Sequence, residues 1–138
     1  MEAVIKTQDL TKRYPNVLAV DHINFEVYRG EFFGLLGPNG AGKTTTIRML
    51  TGLTKPTLGM AVVAGFDIKR ELTKAKEHLG VAPEVSNLYD EMSAWDNLIF
   101  AAQLYGVPKN ERDRRAKESL ELFGLYERRR DNVGSFSK

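Results

Sequence analysis

The sequence predicts an α/β fold, and three observations carry that prediction. A glycine-rich loop, Gly37-Pro-Asn-Gly-Ala-Gly-Lys-Thr44, stands between a short apolar run and a helical pattern. Ahead of it lie two broken, partly alternating apolar runs separated by turn residues. Well behind it the pattern changes to amphipathic helix, each helix followed by a glycine.

In chain order, Val4 to Leu10 and Ala19 to Val27 alternate enough to be half-exposed strands, with Pro15-Asn16 between them and Arg29-Gly30 after. They predict an antiparallel sheet beside the loop. Glu31-Phe-Phe-Gly-Leu-Leu36 has no helical period and predicts a strand buried on both faces. Lys43 to Leu50 reads as a helix stopped by Gly52. Then follow a turn over Lys55 to Gly59, a strand over Met60 to Ala64, and a turn at Gly65-Phe-Asp67. An exposed helix over Lys69 to His78 and a short buried strand over Leu79 to Ala82, ended by Pro83, complete this half. Ser93-Ala-Trp-Asp96 resembles a capping box. The helix it opens carries Trp95, Leu98, Ile99, Ala102 and Tyr105 on one face and ends at Gly106-Val-Pro108. A second helix runs from about Glu111 to Phe123 with Ala116, Leu120 and Phe123 as its stripe and Gly124 as stop. The division expected is 1–84 for the β subdomain and loop core, and 85–138 for the helical subdomain.

The loop matches G-x-x-x-x-G-K-[ST], and strand, loop, helix is the order that phosphate binding needs. Gly37, Gly40 and Gly42 have no Cβ and tolerate positive φ, so the backbone N–H groups from Gly37 through Asn39, Gly40, Ala41 and Gly42 can turn inward around a β-phosphate. The first helical turn adds unpaired N–H groups and the positive end of its dipole. Lys43 is placed to reach the β- and γ-phosphates, Thr44 to offer its hydroxyl to Mg²⁺, and Thr45 to bond the α-phosphate. These residues predict binding of a nucleoside triphosphate.

Composition narrows the remaining classes. The 138 residues carry a formal net charge of +2, with acids and bases interspersed, so no nucleic-acid-binding arm or polybasic membrane anchor is expected. The absence of cysteine excludes disulfides and thiolate metal sites and is compatible with a reducing cytosol. No signal-peptide layout follows Met1, and no run approaches the 18 or so apolar residues of a membrane helix. A membrane role would therefore come through another subunit. Arg112, Arg114, Arg115 and Lys117, then Arg128-Arg-Arg130, read as a solvated helix face and a basic turn, with docking to a membrane-embedded partner and, after it, nucleic acid as the alternatives. His22 and His78 read as surface or packing residues, and Trp95 as core.

Taken in register, these segments resemble the nucleotide-binding subunit of the ATP-binding cassette (ABC) transporters along essentially the whole chain. Leu10-Thr-Lys-Arg-Tyr14 is similar to the segment whose aromatic residue stacks on adenine; a flat ring covers the base face while staying nearly indifferent to its edge. Gly34 to Thr46, Leu50 to Gly59 and Ala64-Gly-Phe-Asp67 follow the family's wording and spacing. Val81-Ala-Pro-Glu84 falls where the family has the loop leading to its helical subdomain, with Glu84 in place of the usual glutamine. A carboxylate there can ligate Mg²⁺ or accept from a water, but when ionised it cannot donate as an amide does. Glutamate at this position resembles the subset of the family that serves exporters. Gly134-Ser-Phe-Ser-Lys138 looks like the approach to the signature sequence, and the sequence stops inside it.

The resemblance implies an ABC-type P-loop core with an N-terminal antiparallel β subdomain and an α-helical subdomain, the C-terminal part of the core missing. It implies ATP and Mg²⁺ as ligands, with Lys43 and Glu84 as catalytic residues and Thr44 and Glu84 at the metal. It also implies a transmembrane transporter subunit and a second ATP-binding subunit as partners, no nucleic acid, and a place at the cytoplasmic face of a membrane. The Walker B aspartate, the water-polarising glutamate and the switch histidine are not among these residues, so ATP binding without turnover is expected of this chain alone. The expected strand over Phe32 to Leu36 would then have an exposed edge open to self-association. Two other classes fit the same residues: a soluble ABC ATPase acting on ribosomes or DNA, and a non-catalytic nucleotide-binding fragment.

Overall fold

The two alternating runs form one long hairpin, β1 (Ala3–Tyr14) and β2 (Val17–Tyr28), turned at Pro15-Asn16. The computed structural model describes residues 2–83 and 87–136. Contacts divide the chain into two units, Met1–Ala82 and Pro83–Lys138.

Bulges explain why the runs look broken. At Asp9 the backbone turns to φ +47°, and the pairing register shifts between Thr7 and Leu10 and again between Leu10 and Lys12. Asn24 holds the bulge: Asp9 N–H donates to Asn24 Oδ1 at 2.9 Å, and Asn24 Nδ2 donates back to Asp9 Oδ1 at 3.1 Å. The slip brings the adjacent residues Leu10 and Thr11 both into the interior. On its other side β1 pairs antiparallel with β3 (Leu58–Val63), and β4 (Phe66–Asp67) completes a sheet of order β2-β1-β3-β4. Strand β3 starts two residues earlier than the turn residues predict, because Leu58 pairs with Thr11.

Helix α1 (Lys43–Leu50) buries Thr46, Met49 and Leu50. Met49 and Leu50 join Leu10, Val20, Ala61 and Val63 in one apolar cluster, which α2 (Leu72–Glu77) extends with Ala75. Helix α2 is shorter than the Lys69 to His78 stretch read from the sequence. Ahead of it Asp67 Oδ1 accepts from Lys69 N–H and Asp67 O from Glu71 N–H, which makes residues 67–71 a turn.

Two expected strands do not form. Glu31 to Leu36 carries no ladder, and its apolar side chains lie open: Phe32 and Leu36 are almost fully exposed, and Phe33 is covered only by a stacked contact with Phe25 at 5.0 Å. A strand needs neighbours to take its N–H and C=O groups, and no described strand pairs with this segment. The concern about a bare strand edge thus becomes one of apolar side chains in solvent. Leu79 to Ala82 is likewise without a ladder; Leu79 is half-buried and the rest exposed.

In the second unit, α3 (Ala94–Leu104) begins as the sequence predicts. Ser93 Oγ accepts from Asp96 N–H at 3.0 Å and donates to Asp96 Oδ2 at 2.6 Å. The face it buries differs from the expected one. Ala94 and Asn97 are interior, Trp95 is half-buried and Tyr105 is exposed. Asn97 is buried because its amide bonds the chain before the helix: Nδ2 donates to Tyr89 O at 3.0 Å and Oδ1 accepts from Tyr89 N–H at 2.9 Å. Helix α4 (Lys109–Leu122) buries Ala116 and Leu120 as expected, but Phe123 is exposed. The segment after it returns alongside the start of α3, with Trp95 N–H bonded to Arg129 O, Ala94 N–H to Asp131 O and Val133 N–H to Met92 O.

Candidate functional site

The glycine loop adopts backbone angles that few residues other than glycine tolerate. Gly40 and Gly42 adopt φ +84° and Gly37 φ +153°, and a turn closes where Ala41 N–H bonds Pro38 O at 3.2 Å. Gly42 is the N-cap of α1 in the left-handed region, with no side chain capping the helix and no acid in its first turn. The first intrahelical bond belongs to Thr46, whose N–H and hydroxyl both bond Gly42 O. The N–H groups of Lys43, Thr44 and Thr45 thus have no acceptor among the described residues, and the hydroxyls of Thr44 and Thr45 make no hydrogen bond there. Three donors at the positive end of a helix with no acid in its first turn are able to receive an anion.

Lys43 folds back over the loop, its Nζ donating to Gly37 O and, at 2.7 Å, to Pro38 O. Asn39 and Gly40 are exposed at the loop's tip.

Strand β2 sets where the loop ends. A Cβ on Gly42 would lie 2.3 Å from Ala19 O and 3.0 Å from Val20 Cγ2, so only glycine lets the loop approach the hairpin this closely. Val17, directly across the hairpin from Tyr14, is two residues from Ala19, roughly 7 Å along the strand. The hairpin thus brings Tyr14 and the start of α1 to one region. Tyr14 is 39% exposed, leaving ring surface for a ligand. Lys12 Nζ lies 5.0 Å from its ring centroid. Sequence reasoning missed Ala19, because a backbone carbonyl offers no residue-type signal.

Lys43 and Thr44 also border a hollow of about 520 Å³ whose other walls include Phe25, Phe33, Leu35, Ile47 and Glu31. Hydrocarbon and a carboxylate do not attract phosphate, so this hollow does not suit an anion. Glu84 lies outside the described residues. Among the described residues no cluster of three or more His, Asp or Glu side chains could hold a metal. His22 pairs with its neighbour Asp21, and His78 stacks on Phe66 at 5.6 Å. Among the described residues Thr44 alone offers a hydroxyl suited to Mg²⁺ here, and such an ion would take most of its ligands from phosphate and water, its usual habit.

A family profile described as ABC transporter matches residues 20–138. The chain belongs to the ABC transporter family. It is 44% identical over 124 residues to the "probable multidrug ABC transporter ATP-binding protein YbhF" of Escherichia coli (strain K12), covering 90% of this chain and 22% of that protein. It is 42% identical over 130 residues to the "methionine import ATP-binding protein MetN" of Geobacillus kaustophilus (strain HTA426), covering 88% of this chain and 38% of that protein. A solved structure titled "Structure of ATP binding subunit of ABC transporter" superposes with a TM-score of 0.81 at 32% identity, over 98% of this chain and 56% of that one. The chain therefore spans well under two thirds of each relative. The antiparallel sheet, the loop and α1, and the helical unit agree with an α/β ABC ATP-binding core. No helix among the described residues is long and apolar enough to cross a membrane.

Proposed function

We propose that this ABC-family chain binds ATP through Tyr14 and the loop from Gly37 to Thr45, as part of a subunit whose ATP hydrolysis drives transport through a membrane-embedded partner. The observation that carries the proposal is the loop itself: left-handed Gly40 and Gly42 lead into a helix whose first three N–H groups have no acceptor among the described residues, with Lys43 Nζ held on the carbonyls of Gly37 and Pro38. In this assignment Gly37, Asn39, Gly40 and Gly42 present backbone donors to phosphate, Ala41 joins them by releasing Pro38 O, Lys43 exchanges its loop carbonyls for β- and γ-phosphate oxygens, and Thr45 bonds the α-phosphate. Thr44 holds Mg²⁺, with Glu84 as a second ligand, and the ion neutralises phosphate charge when bound. Tyr14 covers the adenine face.

The basic residues favour a transport partner over nucleic acid, since most are matched by acids. Arg114 pairs with Glu118, Arg115 with Glu111 and Arg128 with Asp131, leaving little unbalanced charge for a phosphate backbone. Arg128 and Arg130 are exposed at a turn, as read from the sequence, and the guanidinium groups of Arg128, Arg129 and Arg130 also lie over the rings of Phe136, Tyr126 and Trp95. Export is the direction proposed, supported by Glu84 and by the multidrug name of YbhF; the 42% identity to an import protein shows that overall likeness does not choose. Co-purification with a membrane protein from native cells is expected, and association with ribosomes or DNA in its place contradicts the transport role.

Hydrolysis needs a positioned water and stabilised transition-state charge, whereas a phosphate cradle mainly stabilises the ground state. The 138-residue chain is expected to bind ATP with negligible turnover. Phosphate release that tracks the purified chain and disappears in Lys43→Ala would contradict this.

A further inference from the structure

We infer that Lys12 is a positioning residue for the base, holding the Tyr14 ring in the orientation that adenine stacks on; this rests on the assignment of Tyr14 to the base. Lys12 and Tyr14 are two apart on β1, close to a shift in the pairing register between Lys12 and Arg13. The Lys12 ammonium stands 5.0 Å from the ring centroid, within the range at which a cation is drawn to an aromatic face. The ammonium is itself tethered, donating to Lys55 O at 2.8 Å. Two residues on from that carbonyl, Thr57 fixes the backbone around the ring. Its Oγ1 accepts from Arg13 N–H at 3.0 Å, and its N–H donates to Thr11 O at 2.8 Å. The segment Lys55 to Thr57 thus grips Thr11, Lys12 and Arg13, three of the four residues leading into Tyr14.

This arrangement has a purpose a packing tyrosine would not need. Tyr14 ends its strand beside the turn and is 39% exposed, so its ring would otherwise sample several rotamers. A cation fixed on one face selects one of them and leaves the opposite face for the base. It also draws electron density from the ring, which favours stacking with an electron-rich purine. Lys12 thereby lowers the entropy lost when adenine binds, without touching the nucleotide.

The test compares ATP with inorganic tripolyphosphate, which has the phosphates and no base, by calorimetry with Mg²⁺. Lys12→Met keeps the apolar stem and removes the charge. It is expected to weaken ATP by about two- to fivefold, the size of an exposed cation–π contact, and to leave tripolyphosphate unchanged. In a Tyr14→Ala background it is expected to have no further effect. An equal loss for both ligands would mean that Lys12 acts through charge on the phosphates, and no loss for either would mean that the contact is idle; each overturns the inference. If Tyr14→Ala leaves the ratio of the two affinities unchanged, the base-stacking assignment fails and this inference with it. A loss of the ratio in Tyr14→Ala but not in Lys12→Met overturns this inference alone. Without ligand, the Lys12 ε-proton resonances should be shifted upfield by the ring and return to ordinary values in Tyr14→Leu; ordinary values in the unaltered chain contradict the contact.

Discussion

Replacing Lys43 by alanine is expected to weaken ATP binding by about 2–3 kcal/mol, roughly 30- to 150-fold, the range of a charge-assisted hydrogen bond to an ionised partner. Lys43 is the first residue of α1, and its ammonium lies over the loop on the carbonyls of Gly37 and Pro38. Its exchange onto phosphate oxygens would replace two neutral acceptors with charged ones. The alanine variant should fold normally, because alanine favours helix and the interior contacts of α1 come from Thr46, Met49 and Leu50. Calorimetric titration beside a thermal melt separates the two effects. Lost affinity with an unchanged melt is expected; unchanged affinity would mean that Lys43 belongs to the loop's architecture and not to the ligand.

The second large effect is expected at Gly42, where local strain and a backbone clash coincide. Alanine at Gly42 would have to hold φ +84°, costing about 1–2 kcal/mol, and would place its Cβ 2.3 Å from Ala19 O. The Ala19 carbonyl is backbone, held between the paired residues Leu18 and Val20, and cannot step aside as a flexible side-chain end can. The loop must move away from β2, taking the α1 N–H groups with it. Gly40→Ala is the matched control: its φ is also +84°, but nothing lies within 4 Å of the added Cβ. Gly42→Ala should therefore lose more stability and more ATP affinity than Gly40→Ala, as read by denaturant melts and titration. Equal losses would show that the contact with Ala19 does not position the loop.

Features fixed by local chemistry were legible in the sequence. The glycines of the loop, the Ser93–Asp96 cap, and the glycines after α1, α3 and α4, all at positive φ, each depend on a few neighbouring residues. The hairpin was legible too, though its bulge at Asp9 was visible only as a break in alternation. What failed depended on distant partners. Glu31 to Leu36 and Leu79 to Ala82 have the composition of buried strands, but composition does not provide a neighbouring ladder, and both remain unpaired among the described residues. The apolar face of α3 was misread for a related reason. Periodicity favours Trp95 and Tyr105, whereas the interior position goes to Asn97 because its amide satisfies the backbone of Tyr89. In the site, residue types announced the loop and Tyr14, while the Ala19 carbonyl and the tether from Lys55 to Lys12 arise only once the strands pair.

The central claim is that Tyr14 and the loop form a competent nucleotide site in these 138 residues. Calorimetric titration of the chain with ATP, with and without Mg²⁺, tests it most directly. Saturable binding that is tighter with Mg²⁺ is the predicted result. No heat of binding from protein that melts cooperatively would contradict it, and would mean that the cradle does not hold its binding shape in this chain.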